Sequence, residues 1–246
     1  MQITEPSKKK RRTIRPARLG RLTVRPQAPT KAVSVQPGLS RLALASLRDG
    51  YIYAPGTYNA ERPAALVVLL HGAGGDARAI LPLFMRWAEA KDFLILAPDA
   101  RGRTWDLIEH TFGPDVDFLD HALTRVFERY NVDPGRIAIA GFSDGATYAL
   151  TLGMANGDIF RQVMAFSPGF TAPLSQQGAP RLYVAHGTRD EVLPIGRCSR
   201  RFVPRLVRAG YDVRYREFVG GHELPEAVVE DALRWREEGR NLAATN

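Results

Sequence analysis

Cysteine is almost absent, with Cys198 alone among 246 residues. One thiol excludes an intramolecular disulfide and any cysteine-cluster metal site, and it fits a reducing compartment. By itself it reads as a small packing residue. Long apolar runs are also missing. No stretch approaches 18 consecutive apolar residues, so no membrane span is expected. Acidic residues are scarce at the start: within residues 1–40 Glu5 stands against ten Lys and Arg, a net of +9. The whole chain carries +8, which leaves residues 41–246 at −1. The basicity therefore belongs to an extension and not to a surface of the body, and no nucleic-acid partner is expected. Pro6, Pro16, Pro26, Pro29 and Pro37, with few large apolar residues between them, predict that residues 1–40 are at least partly disordered. Ser7–Arg12 matches a polyanion or nuclear-localisation patch only as a short basic run, and it reads as a solvated tail. No apolar stretch follows Lys8–Arg12 as a secretory leader would require, so a cytoplasmic location is the expectation.

What is present is ordinary for a globular domain: 45% hydrophobic and 24% charged residues. Residues 41–246 suit one domain with a well-buried core. Apolar β-rich runs alternate with helical patterns, the signature of a mostly parallel central sheet flanked by helices, an α/β fold. Leu22–Arg25 and Tyr51–Ala54 read as short opening strands. Ala65–Leu70, Leu94–Ala97, Arg136–Phe142, Val163–Ser167, Leu182–His186 and Val213–Val219 read as the rest of the sheet. Helical spacing covers Ala77–Lys91, Val116–Tyr130, Asp144–Ala155, Arg200–Ala209 and Glu226–Glu238. The link from Phe170 to Pro180 is only loop-sized, so no inserted lid domain is expected and the site should be open.

The decisive segment is Gly141-Phe142-Ser143-Asp144-Gly145, set between a strand and a helix. This is the G-x-S-x-G nucleophile elbow in its required context. The turn is so sharp that side chains two before and two after the serine would collide, hence Gly141 and Gly145. Ser143 is then presented at a helix N-terminus, where backbone donors favour developing negative charge.

A serine hydroxyl needs a base. Five histidines are available, His71, His110, His121, His186 and His222. His71 and His186 each precede a glycine at a strand end, so either could lie near the site. His222 follows the last strand, where the chain order serine, acid, histidine puts the base. The acid must come from a loop between Ser143 and His222, and His186–Pro194 supplies Asp190. Glu191 is its nearest rival, and Asp212 lies too close to the next strand. An oxyanion hole needs two N–H groups. One is the amide after the nucleophile, Asp144. The other is assigned to Ala73 in the Gly-rich loop His71–Asp76, with Gly74 next. Trp105, in Arg101–Asp106, and Leu193 are candidates for lining an acyl or alcohol pocket, although Trp105 reads equally well as packing.

On these residues, from about 50 to 238, the chain resembles the phospholipase/carboxylesterase branch of the α/β-hydrolases, close to small esterases and dienelactone-hydrolase-like proteins. The matching pieces are His71–Asp76, Gly141–Gly145, His186–Pro194 and Gly220–His222, in family order and spacing. The resemblance implies the triad Ser143, Asp190 and His222, with Ala73 and Asp144 as oxyanion donors. Two positions depart. Acyl-protein thioesterases usually carry glutamine where this chain has Asp144, and true dienelactone hydrolases use cysteine where it has Ser143. The expected activity is hydrolysis of short- to medium-chain esters through an acyl-enzyme, with a small-molecule substrate and no metal or organic cofactor. A thioesterase or polyester depolymerase would use the same triad. A serine peptidase would need a gating domain, and a binder acting through the basic tail would need no triad.

Overall fold

The computed structural model describes residues 14–27, 35–109 and 111–243. The strands are β1 (Gly38–Arg41), β2 (Gly50–Ala54), β3 (Ala64–Leu70), β4 (Phe93–Pro98), β5 (Val132–Phe142), β6 (Gln162–Phe166), β7 (Arg181–Gly187) and β8 (Val213–Phe218). The helices are α1 (Ala77–Ile80), α2 (Pro82–Lys91), α3 (Asp106–Glu109), α4 (Pro114–Arg129), α5 (Asp144–Ala155), α6 (Ser199–Arg208) and α7 (Glu226–Ala243). All eight strands form one sheet in the order β1-β2-β4-β3-β5-β6-β7-β8. The pairs β1–β2 and β2–β4 are antiparallel, and every pair from β4 to β8 is parallel. The result is a mostly parallel mixed sheet with helices on both faces, the α/β architecture predicted from the sequence.

The continuous apolar strands conceal a period of two that divides two cores. Leu66, Val68, Leu70, Ile137, Ile139 and Val184 face α4, α5 and α6. Ala65, Val67, Leu69, Ala138, Ala140 and Tyr183 face α1, α2 and α7. A strand buried on both faces needs no polar alternation, which is why these runs look uniform in sequence. The order reverses between β3 and its neighbours β4 and β5, and the carboxyl ends of these strands open the crevice in which such sheets place their sites.

Two expectations change, and one strand is unexpected. The helix predicted over Ala77–Lys91 is two helices, because Pro82 has no N–H to continue the ladder. The short edge strand β1 has three exposed residues among four and carries no apolar pattern that sequence could reveal. Leu22–Arg25 is not a strand. Its amides are taken by side chains instead: Leu22 N donates to Asn156 Oδ1 at 2.9 Å, and Thr23 N and Val24 N donate to Asp120 Oδ1 at 2.8 and 2.9 Å. Arg21 pairs with both oxygens of Asp158 at 2.9 Å, and this hydrogen bond holds the Asp158 carboxyl below its ordinary range. Residues 14–27 thus lie against α4 and the end of α5, while residues 1–13 lie outside the described residues. No helix among the described residues is long and apolar enough to cross a membrane.

Candidate active site

Strand β5 leads into Ser143 and α5 begins immediately after it. Ser143 has φ 57° and ψ −121°, a conformation an L-residue holds only when its surroundings impose it. Its amide donates to the Phe166 carbonyl at 2.9 Å, and its carbonyl accepts the Ala146 and Thr147 amides at 3.0 Å. The two glycines are required sterically. A Cβ on Gly141 would fall onto the Gly145 carbonyl group, and one on Gly145 would fall onto the carbonyl oxygens of Leu70 and His71. The elbow is therefore wedged against the end of β3.

His222 Nε2 lies 2.8 Å from Ser143 Oγ, and its Nδ1 lies 2.7 Å from Asp190 Oδ2. An ionised carboxylate only accepts hydrogen bonds, so the Nδ1 proton is fixed and the Nε2 lone pair faces the serine hydroxyl. Asp190 Oδ1 accepts the Val192 and Leu193 amides at 3.0 and 2.7 Å. Burial alone would raise the Asp190 pKa, but the hydrogen bonds from His222 and the Leu193 amide prevail and hold it below the ordinary value. The Phe142 ring packs on the His222 ring with centroids 4.9 Å apart. The acid and histidine loops are stitched together by Thr188 N to Phe218 O at 2.8 Å and Arg189 N to Gly220 O at 2.9 Å.

A third residue belongs to this cluster. His186 is fully buried, with Nε2 2.8 Å from the Leu193 carbonyl and 3.2 Å from Asp190 Oδ2. Its Nδ1 lies 2.6 Å from Ser199 Oγ. A carbonyl can only accept, so Nε2 carries the proton and Nδ1 accepts a hydrogen bond from the Ser199 hydroxyl. Burial lowers the His186 pKa, which keeps the ring neutral at pH 7. Sequence places His186 at a strand end four residues before the acid, but nothing in the pattern shows that it shares the acid's oxygen.

His71 is locked in the same way. Nδ1 lies 2.7 Å from the Gly72 carbonyl, and Nε2 accepts the Ala100 amide at 3.0 Å. Burial lowers its pKa as well. The Gly72 carbonyl also accepts the Gly75 amide at 3.1 Å. In a planar trans peptide the N–H points opposite the carbonyl, so these bonds fix the direction of the Ala73 amide. A Cβ built on Gly72 would stand 3.3 Å from Ser143 Cβ, which puts this loop beside the serine. Among the described residues, the amides of Ala73 and Asp144 donate to no protein acceptor.

Trp105 is 1% exposed, beneath the site and not on its wall. Its Nε1 donates to the His71 carbonyl at 2.9 Å and its ring stacks on Tyr148 at 5.0 Å. The pocket role expected for it gives way to packing, because the indole supports the loop that carries Ala73. Leu193 is half-buried, with its side chain beside Gly169, and its backbone serves both Asp190 and His186. Glu191 is exposed and His121 lies on the outer face of α4. His110 lies outside the described residues. Among the described residues no cluster of three or more His, Cys, Asp or Glu side chains is placed to hold a metal ion.

A mostly parallel sheet with a serine on a strained strand-to-helix turn, hydrogen-bonded to a histidine and through it to an aspartate, defines the hydrolase class of α/β proteins. The chain belongs to the alpha/beta hydrolase family, which it matches over residues 67–245. It is 29% identical over 155 residues to a probable feruloyl esterase C of Aspergillus flavus, covering 60% of this chain and 56% of that protein. It is 30% identical over 162 residues to a bifunctional acetylxylan esterase/xylanase of Neocallimastix patriciarum, covering 59% of this chain and 22% of that protein. The match to the feruloyl esterase thus spans little more than half of that relative's length. The crystal structure of esterase PE8 superposes with a TM-score of 0.64 at 23% identity, covering 82% of this chain and 99% of that one.

Proposed function

We propose that the protein is a serine carboxylic ester hydrolase acting on short- to medium-chain esters. The observation that carries this reading is the unbroken hydrogen-bonded line from Ser143 Oγ through His222 to Asp190, beside two unpaired amides. Ser143 attacks the ester carbonyl while His222 Nε2 takes its proton. The tetrahedral oxyanion is received by the amides of Ala73 and Asp144, and Asp190 stabilises the imidazolium without being protonated. His222 then hands its proton to the departing alcohol, leaving an acyl-enzyme. Water, deprotonated by the same nitrogen, releases the acid and restores Ser143.

The link between β6 and β7 carries no helix or strand, which supports small accessible esters over long lipids, with Leu193 and the half-exposed Phe170 nearby as apolar acyl contacts. The relatives' names add feruloyl esters and acetylated xylan as substrate classes to include. The narrower placement in the phospholipase/carboxylesterase branch is part of this proposal. The test is hydrolysis of p-nitrophenyl acetate, butyrate, octanoate and palmitate, with methyl ferulate and acetylated xylan, by wild type and Ser143→Ala. Turnover of short esters that the substitution abolishes supports the reading. A strong preference for palmitate refutes the chain-length part, and turnover indifferent to Ser143→Ala refutes the mechanism.

A further inference from the structure

The loop after β4 has no role in the scheme above, yet it touches both halves of the oxyanion pocket. The Arg103 carbonyl accepts the Gly74 amide at 2.9 Å, pinning the residue that follows Ala73. One residue on, the Thr104 hydroxyl donates to Asp144 Oδ2 at 2.7 Å. Trp105 then donates to the His71 carbonyl at 2.9 Å. Three consecutive residues therefore join the end of β3 to the nucleophile elbow. Thr104 is 7% exposed, so water does not readily replace its hydroxyl.

Asp144 is an awkward place for a negative charge. Its amide is a proposed oxyanion donor, and its carboxylate hangs from the same Cα at the first position of α5. The first amides of a helix lack intrahelical acceptors and attract any anion within reach. An unrestrained carboxylate there competes with the reaction's oxyanion for the same amides and repels it when close. Among the described residues the Asp144 carboxylate accepts from Thr104 and from no backbone amide.

We propose that Thr104 is a positioning residue whose hydroxyl anchors the Asp144 carboxylate and keeps it off the oxyanion amides. The inference rests on Ser143 being the nucleophile of an ester hydrolase. Thr104→Val removes the hydroxyl at nearly constant volume, and Thr104→Ser keeps it. On p-nitrophenyl butyrate, Thr104→Val should lower kcat about tenfold with KM within about twofold, the pattern of an interaction felt in the transition state. Thr104→Ser should stay within about threefold of wild type, and adding Asp144→Asn to Thr104→Val should recover about fivefold in kcat, because the competing charge is gone. Melting temperatures are measured alongside. An unchanged kcat in Thr104→Val overturns the proposal. So does a loss that Asp144→Asn leaves in place, since that marks Thr104 as structural. Absence of Ser143-dependent turnover in wild type overturns the functional reading itself, a result distinct from both.

Discussion

Replacing Asp190 by asparagine tests the hydrogen-bond logic of the site most sharply, because four N–H groups converge on one carboxylate. Oδ1 accepts the Val192 and Leu193 amides, and Oδ2 lies 2.7 Å from His222 Nδ1 and 3.2 Å from His186 Nε2. Asparagine offers one accepting oxygen and one donating NH2. Whichever way it turns, the NH2 faces two donors. The backbone amides cannot change, whereas His222 can move its proton from Nδ1 to Nε2. The least costly arrangement keeps the carbonyl on the amides and sets the NH2 against an inverted imidazole. The nitrogen facing Ser143 then already carries a proton and cannot take another. The expected fall in kcat is about 10⁴-fold, or about 5.5 kcal/mol, the size found in serine proteases when the buried acid is so replaced. The fold should survive with a loss of about 1–3 kcal/mol, because the His186 N–H, still bonded to the Leu193 carbonyl, now faces an NH2 where it faced a carboxylate oxygen. A second consequence follows from linkage. A carboxyl with a depressed folded pKa stabilises the fold when ionised, above about pH 4, and loses that contribution as pH falls through the folded value. Urea melts from pH 3 to 7 should show a shallower acid limb in Asp190→Asn than in wild type. A kcat within about tenfold of wild type, measured on p-nitrophenyl butyrate from pH 5 to 10, would refute the tautomer argument.

Gly145→Ala gains about 1 kcal/mol in helix propensity but drives its Cβ into two backbone carbonyls, and overpacking of about 1–3 kcal/mol should win. Urea denaturation should show net destabilisation and kcat should fall with it. Gly153→Ala in the same helix meets mainly the movable methyls of Val163 and Ile139, so it should cost less; the reverse order sinks the steric account. Asn156 is fully buried and serves Leu22 N, Gly20 O and Leu152 O at 2.9, 2.7 and 2.9 Å. Asn156→Ala should cost about 2–4 kcal/mol and open residues 14–27 to proteolysis, whereas an unchanged digestion pattern means the segment does not dock in solution. Burial pushes the Asp115 carboxyl up to about 6, so the folded state holds this proton more tightly than the unfolded chain. Asp115 therefore makes stability decline as pH rises from about 4 to about 6, and Asp115→Asn should remove that slope. Parallel stability curves for the two proteins across this range would contradict the assignment.

The features legible in sequence are those set by local sterics. Gly141 and Gly145 are forced by one turn, and their absence of side chains is visible without any knowledge of the carbonyls they approach. Ala65–Leu70 and Leu182–His186 are buried on both faces, so their apolar runs announce strands. Where a partner lies far along the chain, local pattern misleads. Leu22–Arg25 has the apolar alternation of a strand, but its amides are claimed by Asp120 and Asn156, roughly a hundred residues away. Thr104 looks like any buried threonine until Asp144 is set beside it. Trp105 follows a strand whose carboxyl end opens on the site, yet its N–H is spent on the His71 carbonyl below.

The histidines show the same division at the level of single atoms. His71, His186 and His222 all lie at or just after the carboxyl ends of strands, and sequence order alone favours the last as the base. What distinguishes them physically is where their nitrogens go. His71 gives one to the Gly72 carbonyl and one to the Ala100 amide, and His186 gives one to Leu193 O and one to Ser199 Oγ. Both rings are saturated by partners that do not titrate near neutral pH, and burial holds both neutral, so neither has a lone pair free for substrate chemistry. Of these three, only His222 keeps one nitrogen on a carboxylate and the other on a serine hydroxyl that can give up its proton. A ring with both nitrogens satisfied by fixed groups orients backbone, as His71 orients the Ala73 peptide. A ring suspended between an acid and a nucleophile moves a proton. Glutamine at position 71 or 186 should therefore reduce activity through geometry and leave the pH profile of the remaining activity unmoved, whereas no substitution at 222 should preserve that profile.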